Sequence, residues 1–161
     1  MTYKPKLYVE SSIISYLVAR PSRDIILQAR QQITREWWDT RKRFTLHVSP
    51  LVIDEIAMGD PDAAERRLAT VADIEVLSLT KAVYEIAEQL TAKNVVPVRY
   101  RTDALHIATA AAYEMDYLIT WNQAHIANPA TMRVMQDVIK GEGLIPPLFV
   151  RPDYFLEIGH E

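Results

Sequence analysis

The sequence predicts an α/β fold, a three-layer α/β/α sandwich with a central, mostly parallel sheet. Short β-prone runs alternate along the chain with longer segments whose apolar residues recur at helical spacing. The run at 117–119, Tyr-Leu-Ile, is wholly apolar, as in strands buried on both faces of a sheet. Such alternation is typical of a parallel sheet covered by helices on both sides. Strands are predicted at residues 6–9, 44–48, 74–77 and 117–119, and helices at residues 13–20, 24–43, 50–58, 61–72, 80–93, 103–112 and 129–141.

Length and composition indicate an ordinary globular protein. With 161 residues, 49% of them hydrophobic and 24% charged, the chain is expected to form a single domain over residues 1–161. The absence of cysteine excludes disulfides, thiolate catalysis and a cysteine zinc site. No run has transmembrane length and the first residues lack the apolar core of a signal peptide, so we expect a cytoplasmic protein with no membrane association. The net charge of −3 means that local basic patches or metal ions would have to meet the phosphates of a nucleic acid.

The helix predicted at residues 24–43 is amphipathic, with a charged face that we interpret as solvated surface. Trp37 and Trp38 are interpreted as core or partner-interface residues, not as a stacking platform for bases. The basic cluster at residues 41–43 suits the negative end of the helix dipole.

The next helix has a clear start and a clear end. Ser49 is predicted to cap it, Pro50 takes its first position, and Gly59 can end it in the left-handed conformation. Asp54 and Glu55 are neighbours on this helix, roughly 100° apart around its axis, so both cannot face one site.

The segment from Arg101 to Asn122 organises the chain. Thr102 is a predicted N-cap, which places Asp103 in the first turn of a helix, where the dipole favours a carboxylate. Its many alanines leave the helix narrow enough to lie close to a sheet. The strand at 117–119 then ends on Thr120 and Asn122, and polar groups at strand ends of an open α/β sheet are where ligands usually bind.

The tail at residues 146–161 is spaced by prolines and partly apolar, and we expect a C-terminal arm or an edge strand there. Its residues Phe149 and Phe155, together with Trp37 and Trp38, predict more exposed aromatic surface than a monomer of this size needs. We therefore expect a homodimer and a further protein partner.

Four polar residues stand at the ends of predicted elements: Glu10, Glu55, Asp103 and Asn122. Strand ends and the helix starts beside them meet at one edge of such a fold. Three carboxylates and an amide oxygen form a hard-oxygen donor set, which suits Mg²⁺ or Mn²⁺ and not zinc. Such an ion activates water and neutralises charge on a phosphate.

The chain resembles the PIN-domain family, in the manner of VapC-type toxins, over roughly residues 6–149. Four motifs in order carry the resemblance: Tyr8-Val9-Glu10-Ser11-Ser12, Ser49-Pro50-Leu51-Val52-Ile53-Asp54-Glu55-Ile56, Asp103-Ala104-Leu105-His106-Ile107-Ala108 and Leu118-Ile119-Thr120-Trp121-Asn122. Each motif is weak alone, and the ordered set is fairly specific. The resemblance implies an α/β/α ribonuclease that holds Mg²⁺ or Mn²⁺ with acidic residues.

The resemblance also assigns roles to residues. It implies that Glu10 replaces the first aspartate of the family, that Glu55 is the helical glutamate, that Asp103 is the third acid, and that Asn122 occupies the fourth, usually acidic, position. Ser12 and Thr120 match the hydroxyl residues that commonly support the acids.

This sequence departs from the family pattern at two of these positions. Glu10 is one methylene longer than the usual aspartate. Asn122 keeps an oxygen donor but lacks the negative charge. This loss of charge should weaken the binding of a second divalent ion more than the binding of the first.

Two histidines lie close to these motifs. His106, one turn after Asp103, and His125, three residues after Asn122, are interpreted as packed or hydrogen-bonded structural residues with no catalytic role.

The leading hypothesis is a Mg²⁺/Mn²⁺-dependent RNA endonuclease, the toxin of a type II toxin–antitoxin pair, with RNA as substrate and an antitoxin protein as partner. An alternative is a catalytically weakened PIN-fold module that binds RNA or protein, supported by Glu10 and Asn122. A third hypothesis, a small-molecule phosphohydrolase, ranks last because the first strand is followed by neither an Asp-x-Asp motif nor a glycine-rich phosphate loop.

Overall fold

The structure, a computed structural model, describes residues 3–158 and has five strands and eight α-helices in that range. In chain order they are β1 (Lys6–Val9), α1 (Ser11–Val18), α2 (Ile25–Asp39), β2 (Thr45–Val48), α3 (Pro50–Ile56), α4 (Pro61–Thr70), β3 (Glu75–Val76), α5 (Lys81–Ala92), α6 (Arg101–Ala112), β4 (Tyr117–Ile119), α7 (Pro129–Gly141), β5 (Leu148–Val150) and α8 (Pro152–Ile158). Short 3₁₀ turns cover Arg41–Arg43 and Val98–Tyr100.

The sheet has the strand order β3-β2-β1-β4-β5, and all four neighbouring pairs are parallel. The parallel α/β/α architecture predicted from the sequence is therefore confirmed. Helices α1 and α2 pack together, as do α5 and α6, and α7 joins the second group. Right-handed crossovers place the helices that follow β1 and β2 on one face, and those that follow β3 on the other.

The core lies against both faces of the central strand. Leu7, Tyr8 and Val9 of β1 are fully buried, so successive side chains on opposite faces are all covered. In α6 the small residues Ala104 and Ala108 are fully buried as well, which lets this helix lie close to the sheet and brings Asp103 to its edge.

Helix starts are specified locally. The side chains of Asp24, Asp60, Thr80 and Asn128 each accept a hydrogen bond from a backbone amide of the first turn of α2, α4, α5 and α7. At the other end, Gly59 after α3 has φ +84°, the left-handed conformation expected of it.

Two boundaries predicted from the sequence are wrong. Thr102 does not cap α6, because the 3₁₀ turn before it feeds directly into a helix that begins at Arg101 with Tyr100 at the cap position. Asp103 nevertheless lies in the first turn. Helix α2 ends at Asp39, because the chain tightens into the 3₁₀ turn and the Thr40 hydroxyl donates to the Trp37 carbonyl.

The tail supplies β5, which pairs with β4 at the edge of the sheet, and α8, which packs on α2; residues 159–161 of the predicted arm lie outside the described range. Trp37 is fully buried and Phe155 is 7% exposed, and the tilted Phe44 ring lies 6.4 Å from Trp37 and 4.7 Å from Phe155, centroid to centroid. Trp37 and Phe155 pack within the chain, so the prediction that they form exposed dimer surface is wrong. Among residues 3–158, no helix is both long and apolar enough to cross a bilayer.

Candidate active site

The polar residues predicted to form a site lie at the carboxyl edge of the sheet. Glu10 follows β1 directly, and Thr120 follows β4, the strand paired with β1. Glu55 comes from α3, the helix after β2, and Asp103 from the first turn of α6. Asp54, next to Glu55 on α3, is exposed.

Glu10 is almost fully buried, with 5% of its surface exposed, and both of its carboxylate oxygens accept hydrogen bonds. Its Oε2 accepts the backbone amide of Ser12 at 2.9 Å, so its carboxylate caps α1. Its Oε1 accepts both the Ser12 hydroxyl at 2.6 Å and the Thr120 hydroxyl. Ser12 also receives the backbone amide of Trp121 at 2.9 Å. These contacts join the end of β1 to the end of β4. The three that end on Glu10 account for its burial, because each gives a carboxylate oxygen a hydrogen-bond donor.

Glu55 is oriented by two donors to one of its oxygens. The Ser11 hydroxyl donates to Oε1 at 3.1 Å, and His106 Nε2 forms a short contact with the same atom. Burial alone would raise the pKa of the Glu55 carboxyl, but the His106 and Ser11 contacts lower it below its usual range. Glu55 is thus kept as a carboxylate, with 37% of its side chain exposed.

His106 is the middle of a buried polar chain. Its Nδ1 lies 2.6 Å from the Tyr8 hydroxyl, which lies 2.8 Å from the Ser49 hydroxyl. Burial raises the pKa of the Tyr8 phenol, so this group keeps its proton. In the tautomer that donates from Nε2 to Glu55, Nδ1 accepts from the Tyr8 hydroxyl, and Tyr8 in turn accepts from Ser49. Ser49 occupies the N-cap position of α3, but its side chain does not cap that helix, contrary to the sequence prediction.

Asp103 has a histidine partner of its own. Its Oδ2 lies 3.2 Å from His125 Nδ1, and both side chains are partly exposed. Asn122 sets this histidine in place, because its side-chain oxygen accepts the backbone amide of His125 at 3.1 Å. The amide oxygen of Asn122 is therefore already engaged in a turn that places His125 on Asp103.

The three acids come from elements that meet at the carboxyl edge of the sheet, but their carboxylates are not gathered around one point. Among residues 3–158, no three acidic or histidine side chains form a group that could hold a metal ion. Each carboxylate is instead turned toward a protein donor. The donor chemistry still fits a hard cation, since Oε2 of Glu55 and Oδ1 of Asp103 accept no hydrogen bond from the described residues.

Reasoning from sequence placed the acids and missed part of their support. The sequence pattern assigns no role to Ser11 or Tyr8, and it predicts only structural roles for His106 and His125, which in the structure contact Glu55 and Asp103. The one available signal was spacing: His106 lies three residues after Asp103, so both face the same side of α6.

A family model described as "PIN domain" matches residues 7–128. Solved structures that share the fold include two toxin-family structures. The VapBC2 structure from Rickettsia felis, bound to a DNA fragment of its promoter, has TM-score 0.56 and 12% identity over 91% of this chain and 98% of that one. VapC20 from Mycobacterium tuberculosis, described as a sarcin–ricin loop cleaving toxin, has TM-score 0.56 and 16% identity over 76% of this chain and 95% of that one. No curated protein sequence matches this chain.

Proposed function

The chain belongs to the PIN domain family, and from that membership we propose that it is a Mg²⁺- or Mn²⁺-dependent endoribonuclease that hydrolyses phosphodiester bonds. One observation carries the proposal. Three acids from three separate segments, Glu10, Glu55 and Asp103, lie at the carboxyl edge of a parallel sheet, each oriented by its own hydrogen-bond donors. The carboxyl edge is where open α/β sheets bind ligands.

Glu10, Glu55 and Asp103 are the residues that would hold the divalent ion. Asn122 would be a fourth oxygen donor through the second lone pair of its amide oxygen, since the first accepts the backbone amide of His125. When bound, the ion would supply activation of water and neutralisation of charge on the phosphate. The chain's own residues orient these donors. Ser12 and Thr120 fix Glu10, while Ser11 and His106 fix Glu55.

Because Asn122 stands at a position that is usually acidic in the family, the site carries three formal negative charges instead of four. We propose that the substrate phosphate supplies the missing charge, so that an ion is held more tightly when RNA is bound than in the free protein. The contact from His125 to Asn122 supports a second role for this residue, which is to keep the loop that carries His125 in place.

A toxin role and an antitoxin partner are part of the same proposal. The Rickettsia felis structure contains VapBC2 bound to a DNA fragment of its promoter, and its fold covers 91% of this chain. We propose that this chain likewise pairs with an antitoxin protein, acts in the cytoplasm and forms a homodimer. With Trp37 and Phe155 buried, the dimer surface must lie elsewhere, and exposed apolar residues such as Ile25 and Ile26 on α2 support an association surface there.

A weakened RNA-binding or protein-interaction module is the second candidate. It is favoured by the lack of a preformed group of three metal-binding side chains among residues 3–158. This candidate predicts RNA binding with no cleavage in any divalent metal.

The test is a cleavage assay on 5′-labelled single-stranded RNA with Mg²⁺, with Mn²⁺ and with excess EDTA. We expect cleavage in either metal and none in EDTA. Cleavage that persists in EDTA, or RNA that stays intact in both metals, would contradict the proposal. A phosphomonoester such as p-nitrophenyl phosphate serves as the control substrate, because its hydrolysis in place of RNA would indicate a small-molecule phosphohydrolase.

A further inference from the structure

A partly exposed stack of three side chains lies beside Asp103. The guanidinium of Arg99 is 5.0 Å from the centroid of the Tyr100 ring. The Tyr100 ring in turn lies 3.9 Å from the His125 ring, with 34° between their planes. His125 contacts Asp103 through Nδ1. The stack therefore runs from the surface to one of the three candidate acids.

Core packing does not account for this stack. Tyr100 is 37% exposed, and its neighbour Val98 is 68% exposed. Arg99 and Arg101 are exposed, and neither pairs with an acid among residues 3–158. By contrast, Trp121 is only 6% exposed and packs against Tyr16 inside the fold.

We propose that Arg99 and Tyr100 form a stacking platform for a nucleobase of single-stranded RNA, next to the phosphate that would be cleaved. This inference rests on the proposed function and adds the part of the protein that grips the substrate. Aromatic rings and arginine planes both stack on unpaired bases. A base can extend the stack on the guanidinium, or replace the guanidinium on the ring and free Arg99 to meet a phosphate.

The charge around the site favours this arrangement. The protein has a net charge of −3, and three carboxylates at the candidate site repel a phosphate backbone. Arg99 and Arg101 place two positive charges within four residues of Asp103 along the chain. They provide local attraction for RNA that the protein as a whole lacks.

The position of the stack also determines which part of the substrate it would meet. His125 contacts Tyr100 on one side and Asp103 on the other, so a base on the platform belongs to a nucleotide adjoining the phosphate near Asp103. Recognition by stacking depends little on base identity, since every base has a π-face. The platform therefore holds single strands and excludes paired bases, whose faces are already stacked.

The experiment measures binding separately from cleavage. Fluorescence anisotropy with labelled eight-nucleotide homopolymers of each base gives the dissociation constant of the full chain in EDTA, and of the Glu55→Gln variant in Mn²⁺. Tyr100→Ala should weaken binding roughly 5- to 150-fold, and Tyr100→Trp should restore it. Tyr84→Ala is the matched control, because Tyr84 is a 44%-exposed tyrosine on α5.

An abasic site in the oligonucleotide separates stacking from other effects of the variant. Removing one base at the nucleotide held by the platform should weaken binding to the parent and cause no further loss in Tyr100→Ala. Arg99→Gln and Arg101→Gln should each flatten the slope of log affinity against log salt by about 0.7.

The outcomes distinguish this inference from the proposed function. RNA cleavage with unchanged binding in Tyr100→Ala overturns the platform and leaves the nuclease intact. Binding that depends on Tyr100, without metal-dependent cleavage, supports the platform and overturns the nuclease. If the abasic site weakens RNA binding equally in the parent and in Tyr100→Ala, the platform is overturned. It is also overturned if the parent binds no RNA in either condition. Capture of a protein through Tyr100 with no RNA binding likewise overturns it and assigns the surface to a protein partner.

Discussion

The two edges of the sheet use carboxylates in different ways. At the amino edge, Oδ2 of Asp116 accepts the backbone amide of Lys6 at 2.7 Å and the Tyr3 hydroxyl at 2.6 Å. These bonds tie the start of β4 to the start of β1. At the carboxyl edge, Glu55 and Asp103 accept hydrogen bonds from histidine and serine side chains.

This difference shows how to separate a structural acid from a candidate catalytic one. Asp116 satisfies a backbone group that the fold would otherwise leave unpaired, so its contacts serve strand pairing. Glu55 and Asp103, in contrast, contact only side chains, which come from elements distant in sequence, and Glu55 is also partly open to solvent. Such support orients a carboxylate without being needed to form a strand.

The largest effect is expected from Glu55→Gln, a change that keeps the shape of the side chain. We expect kcat for RNA cleavage in Mn²⁺ to fall about 100-fold or more, because a bound ion contributes several kcal/mol of transition-state stabilisation. Asp116→Asn at the other edge should leave kcat unchanged. A Glu55→Gln variant as active as the parent would remove Glu55 from the site.

Asn122→Asp tests whether the fourth position lacks a charge that the free protein could use. An added charge about 4 Å from a cation contributes on the order of 1–4 kcal/mol, so Mn²⁺ binding to the free protein should strengthen in calorimetry. Aspartate keeps the acceptor for the His125 amide, so the loop should survive. Turnover should change much less, because RNA already supplies the charge. Unchanged Mn²⁺ affinity would place Asn122 outside the ligand set.

The variants His106→Phe and His125→Phe compare a buried histidine with a partly exposed one at the same edge of the sheet. Loss of His106 removes two contacts, because the buried Tyr8 hydroxyl keeps only Ser49 as a partner and Glu55 loses the donor at Nε2. The free energy of unfolding in urea should therefore fall by about 1–3 kcal/mol. His125→Phe, at a partly exposed pair, should cost less than about 1 kcal/mol. Equal losses of unfolding free energy in the two variants would mean that the buried hydrogen-bond chain from Ser49 to Glu55 stabilises the fold no more than the partly exposed pair does.

The smallest expected effect is the pH dependence of stability that His47 contributes. Both ring nitrogens of His47 are buried without a hydrogen bond, although Nδ1 lies 3.4 Å from Glu75. Burial lowers the pKa of His47, so the unfolded state takes up the proton first as the pH falls below about 6.5. Stability should therefore decline below that pH, by at most about 1.4 kcal/mol at pH 5.5. His47→Gln should lack this part of the decline in urea unfolding at pH 7.5 and 5.5, and an equal decline in parent and variant would contradict the assignment.

Much of the fold was predictable because its signals are local. The apolar run at 117–119 and the capping residues Asp60 and Asn128 act within a few residues of themselves. The contacts of the candidate site were less predictable. His106 meets Glu55 across 51 positions, and His125 meets Asp103 across 22, so these pairings depend on how helices and loops return to the sheet edge.

The aromatic residues show the same limit. Trp37 and Phe155 are far apart in sequence, and nothing local to either indicates that Phe44 fills the space between them. Their burial depends on α8 folding back onto α2, a long-range contact that composition does not encode.

Mn²⁺ binding to the free protein tests the central claim most directly, which is that the carboxyl edge of the sheet is a divalent-metal site. Isothermal titration calorimetry on the parent, Asp103→Asn and Asp116→Asn compares one acid from each edge. The parent should bind Mn²⁺ with micromolar-to-millimolar affinity and zinc poorly, Asp103→Asn should lose binding while remaining folded by circular dichroism, and Asp116→Asn should bind like the parent. An Asp103→Asn variant that binds Mn²⁺ as the parent does would contradict the account.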